Sequence, residues 1–195
     1  MPNGVNEANP SYLGNPIYGN TNFLLQVLNA TGTQPRFSLY MVDSNSYSTQ
    51  PGVGGYGWVH LDQIAYFMNQ SAAIKAAAAA GGYAVPNALA YQHIPLPEHD
   101  AARSLPIIGQ YHEAVCAPSI NTGLFAAYLQ SGDVKAVTVG HDHTSEWLRV
   151  ESHVGGCPLT GLNPPTSPPL PTSLRRLLLC PRLRRRPCAV LRRPR

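Results

Sequence analysis

"VKAVTVGHDHT", residues 134–144, decides the fold. Residues 134–140 are β-branched and apolar enough to predict a strand buried on both sides, the last of a sheet. The run closes on Gly140 and delivers two histidines one residue apart. In extended backbone alternate side chains share a face, so His141 and His143 are expected to look one way and Asp142 the other. Gly140 leaves room for close backbone approach. Neutral imidazole is the commonest metal-binding side chain, and the pair is therefore a candidate metal site at a strand end.

Working outward, "NFLLQVL" (22–28) and "RFSLYMV" (36–42) read as consecutive strands across the turn-forming "NATGTQP". In "WVHLDQIAYFMNQSAAIKAAAAAGG" (58–82), Trp58, Leu61, Ile64, Ala65 and Met68 follow helical spacing, the alanines extend the helix, and Gly81 and Gly82 stop it. "NALAYQHI" (87–94) predicts a short strand that runs into the prolines of "PLPEHD". "NTGLFAAYLQSG" (121–132) predicts a helix with Leu124, Phe125, Tyr128 and Leu129 on one face, closed by Gly132. Alternating strands and helices imply a layered α/β or α+β fold. Chemistry in such sheets gathers at the carboxyl ends of strands, where His93 and the His141/His143 pair lie.

A chain of 195 residues with net charge +4 suggests one domain, but the charge averages two unlike parts. Residues 1–155 carry five basic and ten acidic side chains, whereas residues 156–195 carry nine arginines and no carboxylate. The division drawn is a domain over 1–150 and a Pro/Arg-rich tail over 151–195. Its prolines argue against regular structure, and the tail is expected to be disordered. An arginine block of this kind can hold nucleic acid or another anion by counterion release. The same composition also results from reading a GC-rich message out of frame, and the aromatics that help single-strand binding are missing. The first residues lack the basic start and apolar stretch of a signal peptide, no run reaches a membrane span, and the compartment is unread. Cys116 stands alone, and Cys157, Cys180 and Cys188 lie in the tail without C-x-x-C spacing, which argues against a thiol metal site.

"GHDH" resembles the last metal-binding motif, G-H-x-H, of the calcineurin-like metallophosphoesterases, in the branch similar to purple acid phosphatases. "LYMVDSNSYS" (39–48), "GYGWVHLDQIAYF" (55–67), "YQHIPLPEH" (91–99) and "NTGLFAAYLQSGDVKAVTVGHDH" (121–143) match that branch in order, so the likeness covers roughly residues 15–146. It implies a four-layer α/β/β/α sandwich with two metal ions, drawn from Fe, Mn or Zn, and hydrolysis of phosphate esters. By the same resemblance His93 shares one ion with His141, and His143 binds the other. The family's upstream motifs D-x-H, G-D-x-x-[DY] and G-N-H-[DE] do not occur, and "SEWLRVESHVGG" replaces the usual continuation after the histidines. The resemblance therefore implies an incomplete sandwich and a truncated, weakly active or inactive fragment, with at most one ion held weakly by His93 and His141. No catalytic residue is assigned. The alternative is a non-catalytic anion or nucleic-acid binder acting through the tail. Among other candidates, His60 reads as solvated or capping, His99 as able to touch substrate, His112 and Glu113 as a supporting loop, and Asp43 as a turn former.

Overall fold

The computed structural model describes residues 11–12, 15–102, 107–152 and 175–180. Two short strands, β1 (Ser11–Tyr12) and β2 (Asn15–Pro16), pair with each other. The main sheet contains β3 (Phe23–Leu28), β4 (Pro35–Met41), β5 (Asn87–Tyr91), β6 (Ile108–Gln110), β7 (Val134–Thr138), β8 (Glu146–Ser152) and β9 (Arg175–Cys180). Their order across it is β3-β4-β5-β7-β9-β8-β6. β4, β5, β7 and β9 run parallel, while β3, β8 and β6 are antiparallel to their neighbours. Helices α1 (Leu61–Gly81), α2 (Pro97–Ala102) and α3 (Leu124–Ser131) complete a mixed α/β architecture. Among the described residues there is one large sheet; the second sheet of a four-layer sandwich is not among them.

The helix expected over 58–82 starts at Leu61, and its buried face differs from the apolar stripe read in the sequence. Gln63, Phe67, Ser71, Ile74 and Ala78 face inward, whereas Leu61 is 71% exposed. Two of these inward positions are polar, so hydrophobic periodicity could not find them. Gln63 Nε2 donates to Asn22 Oδ1 and to the Asp43 carbonyl, both at 2.8 Å. Ser71 Oγ donates to Asp133 at 3.0 Å. Burial therefore costs these groups no hydrogen bonds. At the far end Gly82 adopts φ 65° and returns its N–H to Ala78 and Ala79, the left-handed cap expected of the glycine pair. Gly132, at φ 77°, closes α3 in the same conformation.

Tyr40 of β4, Phe67 of α1 and Tyr128 of α3 form the centre of the core. Their rings meet edge-to-face at 4.7 and 5.0 Å, a geometry worth about 0.5–1.5 kcal/mol per pair beyond area burial. Small residues Ala88 and Ala90 of β5, fully buried, let the helices approach the sheet. On β3 and β4 the opposite face of the sheet is apolar too. The register sets Phe23 across from Met41, Leu25 across from Leu39 and Val27 across from Phe37, and such cross-strand partners share a face. Leu25 is 46% and Val27 52% exposed.

The strand predicted over 134–140 ends at Thr138, and it is followed in the sheet by β8 and β9. Of the tail drawn over 151–195, the described residues are 151–152, which end β8, and Arg175–Cys180, which forms β9 between β7 and β8. At these residues the expectation of disorder is overturned, because strand pairing satisfies their backbone. β9 holds the tail's triple-leucine run, bounded by Pro171 and Pro181; the rest of the tail expectation lies outside the described residues. Cys116, read as standing alone, is engaged in a disulfide. No described helix is long and apolar enough to cross a membrane.

Candidate metal centre

Three parallel strands, β4, β5 and β7, end at one edge of the sheet, and the chain carries its chemistry just beyond them. The ladder continues briefly: Val42 N donates to the Tyr91 carbonyl at 2.9 Å, Gln92 N to Thr138 at 3.1 Å, and Gly140 N to His93 at 3.0 Å. His93 thus sits two residues past β5, fixed against the exit of β7. Ser44 Oγ accepts the Ile94 N–H at 2.9 Å, and Gln92 Nε2 donates to the Ile94 carbonyl at 2.9 Å. Tyr128 OH, 3.3 Å from Gln92 Oε1, anchors that amide to the core.

His141 reaches the same place by a different backbone route from the one expected. Its φ is +74°, and Asp142 N donates to the Gly140 carbonyl at 2.9 Å. This is a γ-turn of the strained, positive-φ kind. The extended-chain reason for pairing His141 with His143 on one face therefore fails, because the strand has already ended. The turn instead aims His141 at His93: His141 Nδ1 lies 3.2 Å from His93 Nε2, with the rings nearly perpendicular at 85°. Gly140 permits the approach, since a Cβ there would lie 3.2 Å from His93 Nδ1. Tyr56 packs edge-on against His141 at 4.7 Å. His141 Nε2 is buried with no hydrogen-bond partner among the described residues.

Burial first, and then the nearby His93 and His143, push the His141 pKa below the ordinary histidine range, with Glu113 opposing. The shift favours the neutral imidazole, the form that binds a metal. His93 is exposed and His143 half-buried. No group of three or more His, Cys, Asp or Glu side chains converges into a metal cluster among the described residues. The two imidazole nitrogens nevertheless fit a single ion. Two ligands at about 2.0–2.1 Å from a tetrahedral ion lie about 3.3 Å apart, close to the 3.2 Å seen here.

Around this pair, His112 N and Glu113 N each donate to Ser145 Oγ at 3.2 Å, and Thr144 N donates to the Glu113 carboxylate. These bonds tie the loop to the residues that follow His141 and His143. Asp142, 3% exposed, accepts the Cys116 N–H at 3.2 Å; burial raises its pKa to about 6. Asp43 shapes turns, accepting Asn45 N at 2.8 Å and Asn20 N at 2.6 Å. His60 takes the capping half of its reading: it is the N-cap of α1, its N–H donating to Gln63 Oε1 at 2.8 Å, and its ring stacks between Tyr18 and Trp58. His99 cannot touch substrate from where it stands, because it is 1% exposed, in a site that lowers its pKa to about 4 by desolvation. A cleft of about 390 Å³ opens beside His93, bounded by Met41, Asp43, Tyr91 and Gln92. Ser44, Gln92 and Tyr56 escaped sequence reasoning because none carries a distinctive metal or catalytic motif.

The chain is similar to "Probable inactive purple acid phosphatase 29" of Arabidopsis thaliana, with 34% identity over 155 residues, covering 75% of this chain and 40% of that protein. "Probable inactive purple acid phosphatase 14" of the same plant is 30% identical over 158 residues, covering 75% of this chain and 39% of the relative. "Phosphatase DCR2" of Saccharomyces cerevisiae is 30% identical over 164 residues, covering 78% of this chain and 27% of the relative. The chain thus spans no more than 40% of the length of these curated relatives. No protein-family model matches it, and no solved structure does. These similarities relate the chain to the purple acid phosphatase-like metallophosphoesterases and give it a phosphatase-family origin.

Proposed function

We propose that this chain carries the histidine part of a binuclear phosphoesterase centre, which in a complete domain hydrolyses phosphomonoesters or related esters. His93 and His141 would hold one ion, of the Fe, Mn or Zn class that tolerates mixed nitrogen and oxygen donors, and His143 would serve the second. The observation that carries the reading is the 3.2 Å approach of His141 Nδ1 to His93 Nε2, reached through a backbone turn that costs on the order of 1–3 kcal/mol. Strain of that size at a strand end is characteristic of sites where a side chain must be aimed.

Such an ion, when bound, supplies Lewis acidity and a water of lowered pKa. The chain's own contribution is positional. Ser44 and Gln92 hold the segment after His93, Gly140 admits the close approach, and burial lowers the His141 pKa, favouring the neutral ring. No carboxylate of the described residues joins the two imidazoles in a metal cluster, so nothing there screens the repulsion between two cations about 4 Å apart. The 195 residues alone are therefore proposed to bind at most one ion, weakly, and to be poor or dead as a catalyst.

Equilibrium dialysis and a Co²⁺ absorption titration of the full chain test this. One ion or fewer per chain is expected, with affinity falling about 10- to 100-fold in His93→Ala and in His141→Ala, and little changed in His143→Ala. Two tightly held ions, or an affinity indifferent to His93 and His141, would refute the proposal. Turnover of p-nitrophenyl phosphate should stay at background with or without metal.

A further inference from the structure

A second cleft, of about 400 Å³, shares Asp43 and Asn45 with the cleft beside His93 and has no part in metal binding as described so far. Its size falls within the range of small-molecule sites. Tyr18, His60 and Trp58 form an aromatic column along it, with Tyr18 stacked on His60 at 3.6 Å and Trp58 on His60 at 5.3 Å. Tyr18 ends the column 45% exposed. Apart from Asp43, the rest of the lining is uncharged and rich in hydroxyls and amides, among them Asn20, Ser46, Ser48, Thr49 and Gln50. Among the described residues no lysine or arginine lines it, and the one carboxylate there, Asp43, already accepts two backbone N–H groups.

That chemistry selects among ligands. An anion finds no cation, and a metal finds only an engaged carboxylate. A purely apolar molecule would strand the hydroxyls and amides. A neutral ring with an apolar face of C–H bonds and an equatorial fringe of hydroxyls satisfies both halves, the face lying on an aromatic ring and the fringe on Ser, Thr, Asn and Gln. The cleft also borders the histidines through one chain of contacts. Tyr47, in its wall, stacks on Tyr56 at 5.1 Å, and Tyr56 meets His141. Tyr47 and Tyr56 are joined by a β-bridge, and Ser48 N donates to the Gly55 carbonyl at 2.9 Å, so the wall is a closed loop.

We infer that this cleft binds a neutral polyhydroxylated ring of the sugar or cyclitol class, and that it seats the alcohol half of the ester. Only the second clause rests on the phosphoesterase reading; the binding itself does not. The aromatic column acts as platform and the 46–50 loop as the hydrogen-bonding lip.

The test is saturation-transfer NMR on the full chain with glucose, mannose, N-acetylglucosamine and myo-inositol, and with adenosine, inorganic phosphate and glycerol as contrasting probes, each with and without excess chelator. At least one of the four sugars or cyclitols should give a saturable signal at millimolar concentration, unchanged by chelator. Glycerol, which lacks a ring, should give none. Replacing Thr49 and Gln50 together by alanine, both on the exposed lip, should weaken binding about 3- to 10-fold at an unchanged melting temperature. Trp58→Phe, which keeps a stacking ring, should weaken it less than Trp58→Ala. No sugar signal, binding of adenosine alone, or lip variants that bind like the parent would overturn the inference. Sugar binding in a chain that fails the Co²⁺ titration would leave the cleft standing and remove the phosphoesterase reading, and the reverse pattern would remove only the cleft.

Discussion

His99 should set an acid limit on stability that can be removed without disturbing the site. The ring is 1% exposed, and Leu96 N donates to its Nδ1 at 3.1 Å. The Leu96 carbonyl lies 3.3 Å from the same nitrogen and favours a proton there, but desolvation outweighs it. Desolvation lowers the pKa from 6.5 to about 4. Between those values the unfolded chain binds a proton that the folded chain does not. Stability therefore falls as pH falls through the window, by about 1.4 kcal/mol per unit and about 3 kcal/mol in all. His99→Asn keeps a side-chain acceptor and has nothing to protonate. At pH 7.5 the variant should be the less stable protein, by about 1–2 kcal/mol, because a smaller side chain leaves a void. By pH 4.5 the gap should close or reverse. Asp142, whose raised pKa gives the opposite slope over a similar range, is present in both proteins and cancels in the difference. Urea denaturation followed by circular dichroism at half-unit pH steps, in chelator, measures the difference directly. Parallel stability curves from pH 7.5 to 4.5 would refute the assignment of a buried neutral imidazole.

Asp133 joins β7 to the core: its carboxylate takes hydrogen bonds from Tyr40 at 2.8 Å, Ser71 at 3.0 Å and Val134 N at 3.1 Å. Asp133→Asn turns donors toward donors and should cost about 2–4 kcal/mol, against about 1–2 for Tyr40→Phe; equal urea midpoints in parent and variants would contradict this. Gly140→Ala places a Cβ 3.2 Å from His93 Nδ1 and should weaken Co²⁺ binding about 10-fold while moving the melting temperature by only a few degrees; unchanged affinity would mean the close approach is unimportant. On the second sheet face, Leu25→Lys with Val27→Thr should lower self-association seen by light scattering, with stability changed by less than about 1 kcal/mol; scattering as strong as the parent's would show that this face is not what associates.

Much of the layer was legible because its residues obey simple periods. The strands from Phe23 and Pro35, the alanine-rich helix and its Gly82 stop, and α3 with Gly132 all follow from local pattern and turn chemistry. The inner face of α1 did not, because Gln63 and Ser71 are buried polar groups whose partners, Asn22, Asp43 and Asp133, lie 20 to 62 residues away in sequence. His93 and His141 were legible as a pair only through the family resemblance. Strand alternation would have joined His141 to His143, and a positive φ at a histidine has no signature in composition. His99, read as able to touch substrate, was misplaced for a related reason: nothing local in "PLPEHD" marks the residue as buried, and only the packing of α2 buries it.

The position of His141 is consequently decided less by β7 than by the loop packed against its turn. A γ-turn at positive φ is unfavourable for a histidine and relaxes unless its neighbours hold it. They do so from residues 112–116. Ser145 Oγ receives two N–H groups from this loop, Thr144 N is held by Glu113, and the buried Asp142 takes the Cys116 N–H. Each contact falls on the four residues after His141, so loosening the loop would let the turn open toward extended backbone. The histidine would then swing off His93 and the 3.2 Å approach would be lost. The machinery that aims the ligand is thus separate from the sheet that places it, and a change in the 112–116 loop should alter metal affinity while leaving the core of Tyr40, Phe67 and Tyr128 as it is.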